Sequence, residues 1–174
     1  ELLSMLSGIV SQQEKEHYVY VWGDSGCGKS HLLRAMVDAY TQRNLKAVYC
    51  CAKNLHELIV DDALDCIAVD GIDILSLSDQ IRLFNLYNQL RDEGHAVLLM
   101  SGMAAPMYLD MRQDLVTRLG WGLVYQVLEL TENERIQAMR QHATDRGFNL
   151  SEEICHYLLR HGRRDLRSLL MTLE

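Results

Sequence analysis

Apolar positions along this chain alternate between a helical period and continuous strand-like runs. Leu2, Leu3, Leu6, Ile9 and Val10 recur at helical spacing and predict an amphipathic helix within residues 1–14. Tyr18-Val19-Tyr20-Val21-Trp22 is β-branched and aromatic without a polar break, the pattern of a buried strand. Leu32, Leu33, Met36, Val37 and Tyr40 then return to helical spacing over His31–Tyr40. Lys46–Cys51 reads as a second strand, followed by a short helical segment around Asn54–Ile59. Cys66-Ile67-Ala68-Val69-Asp70 is a third strand that ends in a carboxylate. Ser78-Asp79 reads as the N-cap of a helix carrying Ile81, Leu83, Phe84, Leu86, Tyr87 and Leu90 and closed by Gly94. Ala96–Ser101 predicts a fourth strand, Leu109–Leu119 a helix and Gly122–Leu128 a fifth strand.

The last stretch is helical only. Thr131-Glu132-Asn133-Glu134 is a capping box that opens a helix through about Arg146, with Gly147 closing it. Ser151 caps a helix to His161, and a final helix starts near Arg164 and is still amphipathic at Glu174. Apolar strands alternating with helices predict an α/β domain with a five-stranded parallel sheet flanked by helices over residues 1–130, followed by a small helical lobe over residues 131–174.

A hydrophobic content of 48% over 174 residues is ample for one buried core. No apolar run approaches the roughly 20 residues that a membrane-spanning helix needs. No basic region precedes Leu2-Leu3, so no signal peptide is visible; the first residue, Glu1, is not a methionine, which reads as a trimmed fragment, and the unfinished pattern at Glu174 reads as a chain that continues. The five cysteines (Cys27, Cys50, Cys51, Cys66, Cys155) are odd in number and form no C-x-x-C pair, and so read as reduced core thiols of a cytoplasmic protein. The net charge of −7 arises entirely within residues 1–130, with 10 basic and 17 acidic side chains; residues 131–174 carry 7 of each. That balance argues against strong direct DNA binding by this segment.

The chemistry concentrates after the first strand. Gly23-Asp24-Ser25-Gly26-Cys27-Gly28-Lys29-Ser30 fits G-x-x-x-x-G-K-[ST] at every fixed position, between a strand and a helix as that P-loop motif requires. Its glycines let backbone N–H groups close round a phosphate chain, and the helix beginning beside His31 adds the positive end of its dipole. Lys29 is expected on the β- and γ-phosphates and the Ser30 hydroxyl on Mg²⁺, so the ligand is ATP or ADP with Mg²⁺. Cys27 holds a variable position, as a tolerated small residue or as a thiol made acidic by the helix end. Asp70, delivered by an apolar strand downstream, reads as the Walker B carboxylate, a second holder of Mg²⁺ and a catalytic group. Gly71 follows where many such ATPases place a second carboxylate, and Asp73 lies on a different part of the turn, so binding is expected with only weak hydrolysis by this chain alone. Ser101 at the end of the fourth strand is either a γ-phosphate sensor or a simple cap.

These parts together resemble the AAA+ ATPases. Gly28-Lys29-Ser30-His31-Leu32-Leu33 resembles the GK-[ST]-HLL run of the DnaA subfamily, and Thr117-Arg118-Leu119-Gly120-Trp121-Gly122-Leu123 its S-R-[FL]-x-W-G run. Within that subfamily, Phe84-Asn85-Leu86-Tyr87-Asn88 and the run from Arg164 to Leu173 look most like the Hda branch, the regulatory inactivators of DnaA. The resemblance implies that Arg118 is an arginine finger acting on nucleotide held by a neighbouring subunit, and that Arg167 is a sensor-2 arginine reaching from the lid to the chain's own nucleotide. It implies DnaA as partner and, with no matching segment in residues 1–20, a DNA sliding clamp; it leaves homo-oligomerisation open. The Arg160–Arg164 cluster reads as a solvated lid face. Two departures stand out: Met103 and Ala104 replace an acidic residue and an arginine that the family carries after the fourth strand, and Gly71 replaces the second carboxylate. The span between the second and third strands is also short for the family. The function implied is promotion of DnaA's ATP hydrolysis. The alternatives are the ATPase part of a DnaA-type initiator or helicase loader that binds DNA elsewhere, and a module that holds nucleotide only as a structural cofactor.

Overall fold

The computed structural model describes residues 2–11, 13, 16–60 and 63–161. Five strands, β1 (Tyr18–Trp22), β2 (Ala47–Cys51), β3 (Cys66–Asp70), β4 (Val97–Gly102) and β5 (Leu123–Gln126), form one sheet in the order β2-β3-β4-β1-β5. Every pairing is parallel. The expected AAA+ architecture is therefore present, with β1 between β4 and β5 and the ends of β1, β3 and β4 side by side.

Side-chain alternation along the strands builds two core layers. Val19, Val21, Cys66, Ala68 and Leu99 face α1 (Leu2–Val10) and α2 (Lys29–Gln42), which supply Leu6, Ile9, Leu33, Met36 and Tyr40. Tyr20, Ile67, Val69, Leu98 and Met100 face α3 (Leu77–Glu93) and α4 (Gln113–Leu119), which supply Leu83, Leu86, Tyr87, Leu115 and Leu119. Strands with apolar side chains on both faces need helices on both faces, and this is why they read as unbroken runs.

Some boundaries differ from the sequence reading. α1 stops at Val10, its last apolar residue. The segment after β2 is a 3-10 helix over Ala52–Glu57. The cap of α3 is Ser76, not Ser78: the Asp79 N–H donates to Ser76 Oγ at 3.2 Å, the spacing a cap makes to its third helical residue. The helix expected from Leu109 is interrupted. Pro106–Tyr108 forms one 3-10 turn, and α4 begins only at Gln113 because the Arg112 N–H donates to the Gln80 side-chain oxygen at 2.9 Å.

The chain separates into two compact units, residues 1–24 with 28–127, and residues 25–27 with 128–174. In the second, α5 (Glu132–Asp145) opens with the expected capping box, both of its reciprocal hydrogen bonds formed, and α6 (Glu152–His161) packs on it through Ile136, Met139, Ala143, Leu150 and Cys155. The expected last helix, with Arg164 and Arg167, lies outside the described residues. All five cysteines are free and four are buried; Cys51, at the end of edge strand β2, is exposed and is not a core thiol. Among the described residues no helix is long and apolar enough to cross a membrane.

Candidate nucleotide site

The loop that leaves β1 turns tightly before α2. Gly28, the residue before the first helical position, has φ 106°, a left-handed conformation that favours glycine, and a Cβ there would meet nothing within 4 Å. The Gly23 N–H donates to the Gly102 carbonyl at 3.3 Å and fastens the loop to the end of β4. Lys29 is 9% exposed and folds back over the loop, its Nζ donating to the Gly23 carbonyl at 2.6 Å and the Asp24 carbonyl at 2.7 Å. Met103 Sδ lies 3.9 Å from the same nitrogen. A phosphate would offer this ammonium charge-assisted hydrogen bonds, stronger than those it makes to the neutral Gly23 and Asp24 carbonyls. Asp24, Ser25, Gly26, Ser30 and His31 are exposed around this turn, and Cys27 is buried.

Asp70 closes the other side. One carboxylate oxygen accepts from the Ser101 hydroxyl, the other from the Tyr49 hydroxyl at 2.5 Å, and Ser30 also bonds this carboxylate. Partial burial works against the charged form, but the bonds from Ser101, Ser30 and Tyr49 and the nearby charge of Arg34 outweigh it, so the Asp70 pKa lies below the ordinary carboxylate range. Tyr49 responds in the opposite sense: burial, together with its bond to Asp70, pushes the phenol up to about 12. Ser30, the other residue expected to hold Mg²⁺, is thus among the groups that favour the charged Asp70 carboxylate. Ser30, Asp70, Lys29 and the glycine turn fit a magnesium nucleotide: two oxygen donors for a hard cation, a cation for phosphate, and a backbone free of Cβ at Gly28.

Ser101 is fully buried, and its one hydroxyl both donates to Asp70 and accepts the Gly71 N–H at 2.9 Å. It fixes the Walker B turn and orients the Asp70 carboxylate, a role that neither sequence reading named. Gly71 has φ 77°, so the position of the missing second carboxylate has a left-handed backbone as well as no side chain. Asp73 accepts from the Met103 N–H at 3.1 Å, bracing the loop after β4.

Arg118 lies elsewhere. It lies in the last turn of α4, just before β5, and its Nε donates to Asn88 Oδ1 at 3.3 Å. Its guanidinium lies 4.1 Å from the centre of the Trp121 ring, 5.4 Å from Phe84 and 6.0 Å from Tyr87. Tyr87 in turn stacks on Tyr18, the first residue of β1, at 4.2 Å. Two separate sequence runs, Phe84–Asn88 and Thr117–Leu123, therefore meet around this one arginine. It sits at the strands' N-terminal end, whereas Lys29 and Asp70 sit at their C-terminal end, about 15 Å away at the rise of a parallel strand.

Tyr49 and Arg34 were missed by motif reading. Tyr49 is two residues before Cys51, which pairs with Asp70, so it is a diagonal neighbour on the same sheet face. Arg34 reaches it from α2, its guanidinium 4.0 Å from the ring centre. The only sequence signal was a polar-tipped aromatic near the end of the strand beside Walker B, and that became informative once the register was known.

Residues 4–126 match the family model of the bacterial DnaA ATPase domain, and residues 132–174 match the lid domain of Hda. Domain III of the Thermotoga maritima replication initiation protein DnaA has a TM-score of 0.84 at 20% identity, covering 99% of this chain and 80% of its own. AMPPCP-bound DnaA from Aquifex aeolicus has a TM-score of 0.77 at 20% identity, covering 97% of this chain and 58% of its own. The solution structure of a Neisseria meningitidis protein is 35% identical with a TM-score of 0.52, covering 64% of this chain and 75% of its own. The chain spans 58–60% of the length of the longer DnaA chains that it matches.

Proposed function

This chain belongs to the family of bacterial DnaA ATPase domains, and from that premise we propose that it is an Hda-like regulator of replication initiation. It binds ADP or ATP with Mg²⁺, docks on ATP-loaded DnaA, and supplies Arg118 in trans to promote hydrolysis of DnaA's ATP. The observation that carries this reading is the separation of Arg118 from the chain's own Lys29 and Asp70, at opposite ends of the sheet. A guanidinium that faces away from its own phosphate site, yet is held on Trp121 and Asn88, suits nucleotide bound by another chain.

In this reading the backbone of residues 23–28 and Lys29 would hold the phosphates and Ser30 and Asp70 the metal, with His31 beside them; Arg167, outside the described residues, is assigned a sensor-2 role by family likeness alone. Bound Mg²⁺ supplies charge neutralisation across the phosphate oxygens. Ser101 and Tyr49 keep the Asp70 carboxylate oriented. With glycine at position 71 and Asp73 accepting from the Met103 N–H, the residues after Asp70 place no second carboxylate to orient water, and slow turnover by the chain alone is expected. The acidic balance of residues 1–130 suits a cytoplasmic protein whose partners are proteins. The sliding clamp, which would bring DNA close, rests on family likeness alone.

The test is conversion of DnaA-bound ATP to ADP in the presence of clamp-loaded DNA, with and without this protein in nucleotide-loaded form. Acceleration is expected. No acceleration by folded, nucleotide-loaded protein would move the assignment to the ATPase part of an initiator or helicase loader.

A further inference from the structure

We propose that Tyr49 is a positioning residue for the Walker B carboxylate, held in place by Arg34, and that together they set how much Mg²⁺ adds to nucleotide affinity. The proposal rests on the nucleotide-binding reading above and concerns its metal half.

The Asp70 carboxylate is gripped from both sides. Ser101 donates to Oδ1 from β4, and Tyr49 donates to Oδ2 at 2.5 Å from β2. Ser101 is itself fixed by the Gly71 N–H at 2.9 Å. Tyr49 is fixed by Arg34, whose guanidinium lies over its ring at 4.0 Å. Arg34 is on the same helix as Lys29 and Ser30, so α2 carries the phosphate cation, one metal ligand and the group that steadies the other ligand's support.

With glycine at position 71, Asp70 has no neighbouring carboxylate to share the metal. Its orientation therefore matters more. Held by a hydroxyl on each oxygen, the carboxylate cannot turn about its Cβ–Cγ bond without breaking one of these bonds, and loss of one hydroxyl lets it rotate. Removing a hydrogen-bond partner behind a metal ligand typically weakens metal binding about 10-fold or more.

The experiment is ADP binding to the full chain by calorimetry, once in Mg²⁺ and once in EDTA, for the wild type, Tyr49→Phe and Arg34→Met. Phenylalanine keeps the ring under Arg34 and removes only the hydroxyl, and thermal unfolding checks that the fold is kept. We expect Tyr49→Phe to bind ADP in EDTA as the wild type does and to lose about 10-fold of the Mg²⁺-dependent gain. Arg34→Met is expected to lose part of the same gain, and it carries the test alone should Tyr49→Phe not fold. A full Mg²⁺ gain in the variants overturns the proposal, as does an equal loss with and without Mg²⁺, which marks a merely structural role. Wild-type protein that binds ADP but gains nothing from Mg²⁺ also overturns it. Wild-type protein that binds no ADP in either buffer overturns the nucleotide reading, and this proposal with it.

Discussion

At the scale of single residues, the site is built from a few polar groups whose partners are already chosen. Lys29, Ser30 and Asp70 were legible because a motif states both their identity and their spacing. Ser101 was only half legible: its place at a strand end was clear, but the partner of its hydroxyl depends on β4 lying beside β3. Gly71 carries more than an absent carboxylate. Its φ of 77° puts the backbone where a side chain costs about 1–2 kcal/mol. We therefore predict that Gly71→Glu lowers stability in urea unfolding by about 1 kcal/mol and leaves the chain's own ATP turnover slow. Wild-type stability combined with rapid turnover in that variant would show that the missing side chain alone limits hydrolysis.

At the scale of elements, the five strands and the helices α1 to α6 were legible, β1 and β3 with the spans expected, while the starts of α3 and α4 were not. Each strand announced itself by an apolar run that helices cover on both faces. The start of α3 was misplaced between two nearby serines, Ser76 and Ser78, whereas that of α4 involves a contact distant in sequence, the Arg112 N–H donating to the Gln80 side chain. Tyr49 and Arg34 escaped notice for the same reason, since β2–β3 register and the seat of α2 decide their contact. α5 behaved as its local sequence required. There the Thr131 hydroxyl and backbone N–H, each 2.7 Å from the Glu134 carboxylate, hold its pKa below the ordinary range. A carboxyl depressed by folding stabilises the helix above its unfolded pKa, and that stabilisation is lost as pH falls through the lower folded value. Thr131→Val removes the side-chain donor, so the Glu134 pKa should rise toward the ordinary range in an NMR titration. An unchanged value would mean that the capping box is not what depresses it.

At the scale of the molecule, the parallel sheet is what would separate binding from action in the proposed function. Periodicity fixes which side chains face a layer, but it does not say which strand neighbours which; the order β2-β3-β4-β1-β5 came into view only with the structure. That order sets Lys29 and Asp70 at one end of the strands and Arg118, on its Trp121, Phe84 and Asn88 support, at the other. The most direct test compares wild type with Arg118→Ala in single-turnover hydrolysis of DnaA-bound ATP, alongside each protein's own affinity for ADP. A finger acting in trans predicts that the acceleration is lost, by as much as about 10³-fold, while the variant binds ADP as tightly as the wild type. Acceleration that survives the substitution, or ADP binding that is lost with it, would contradict the account.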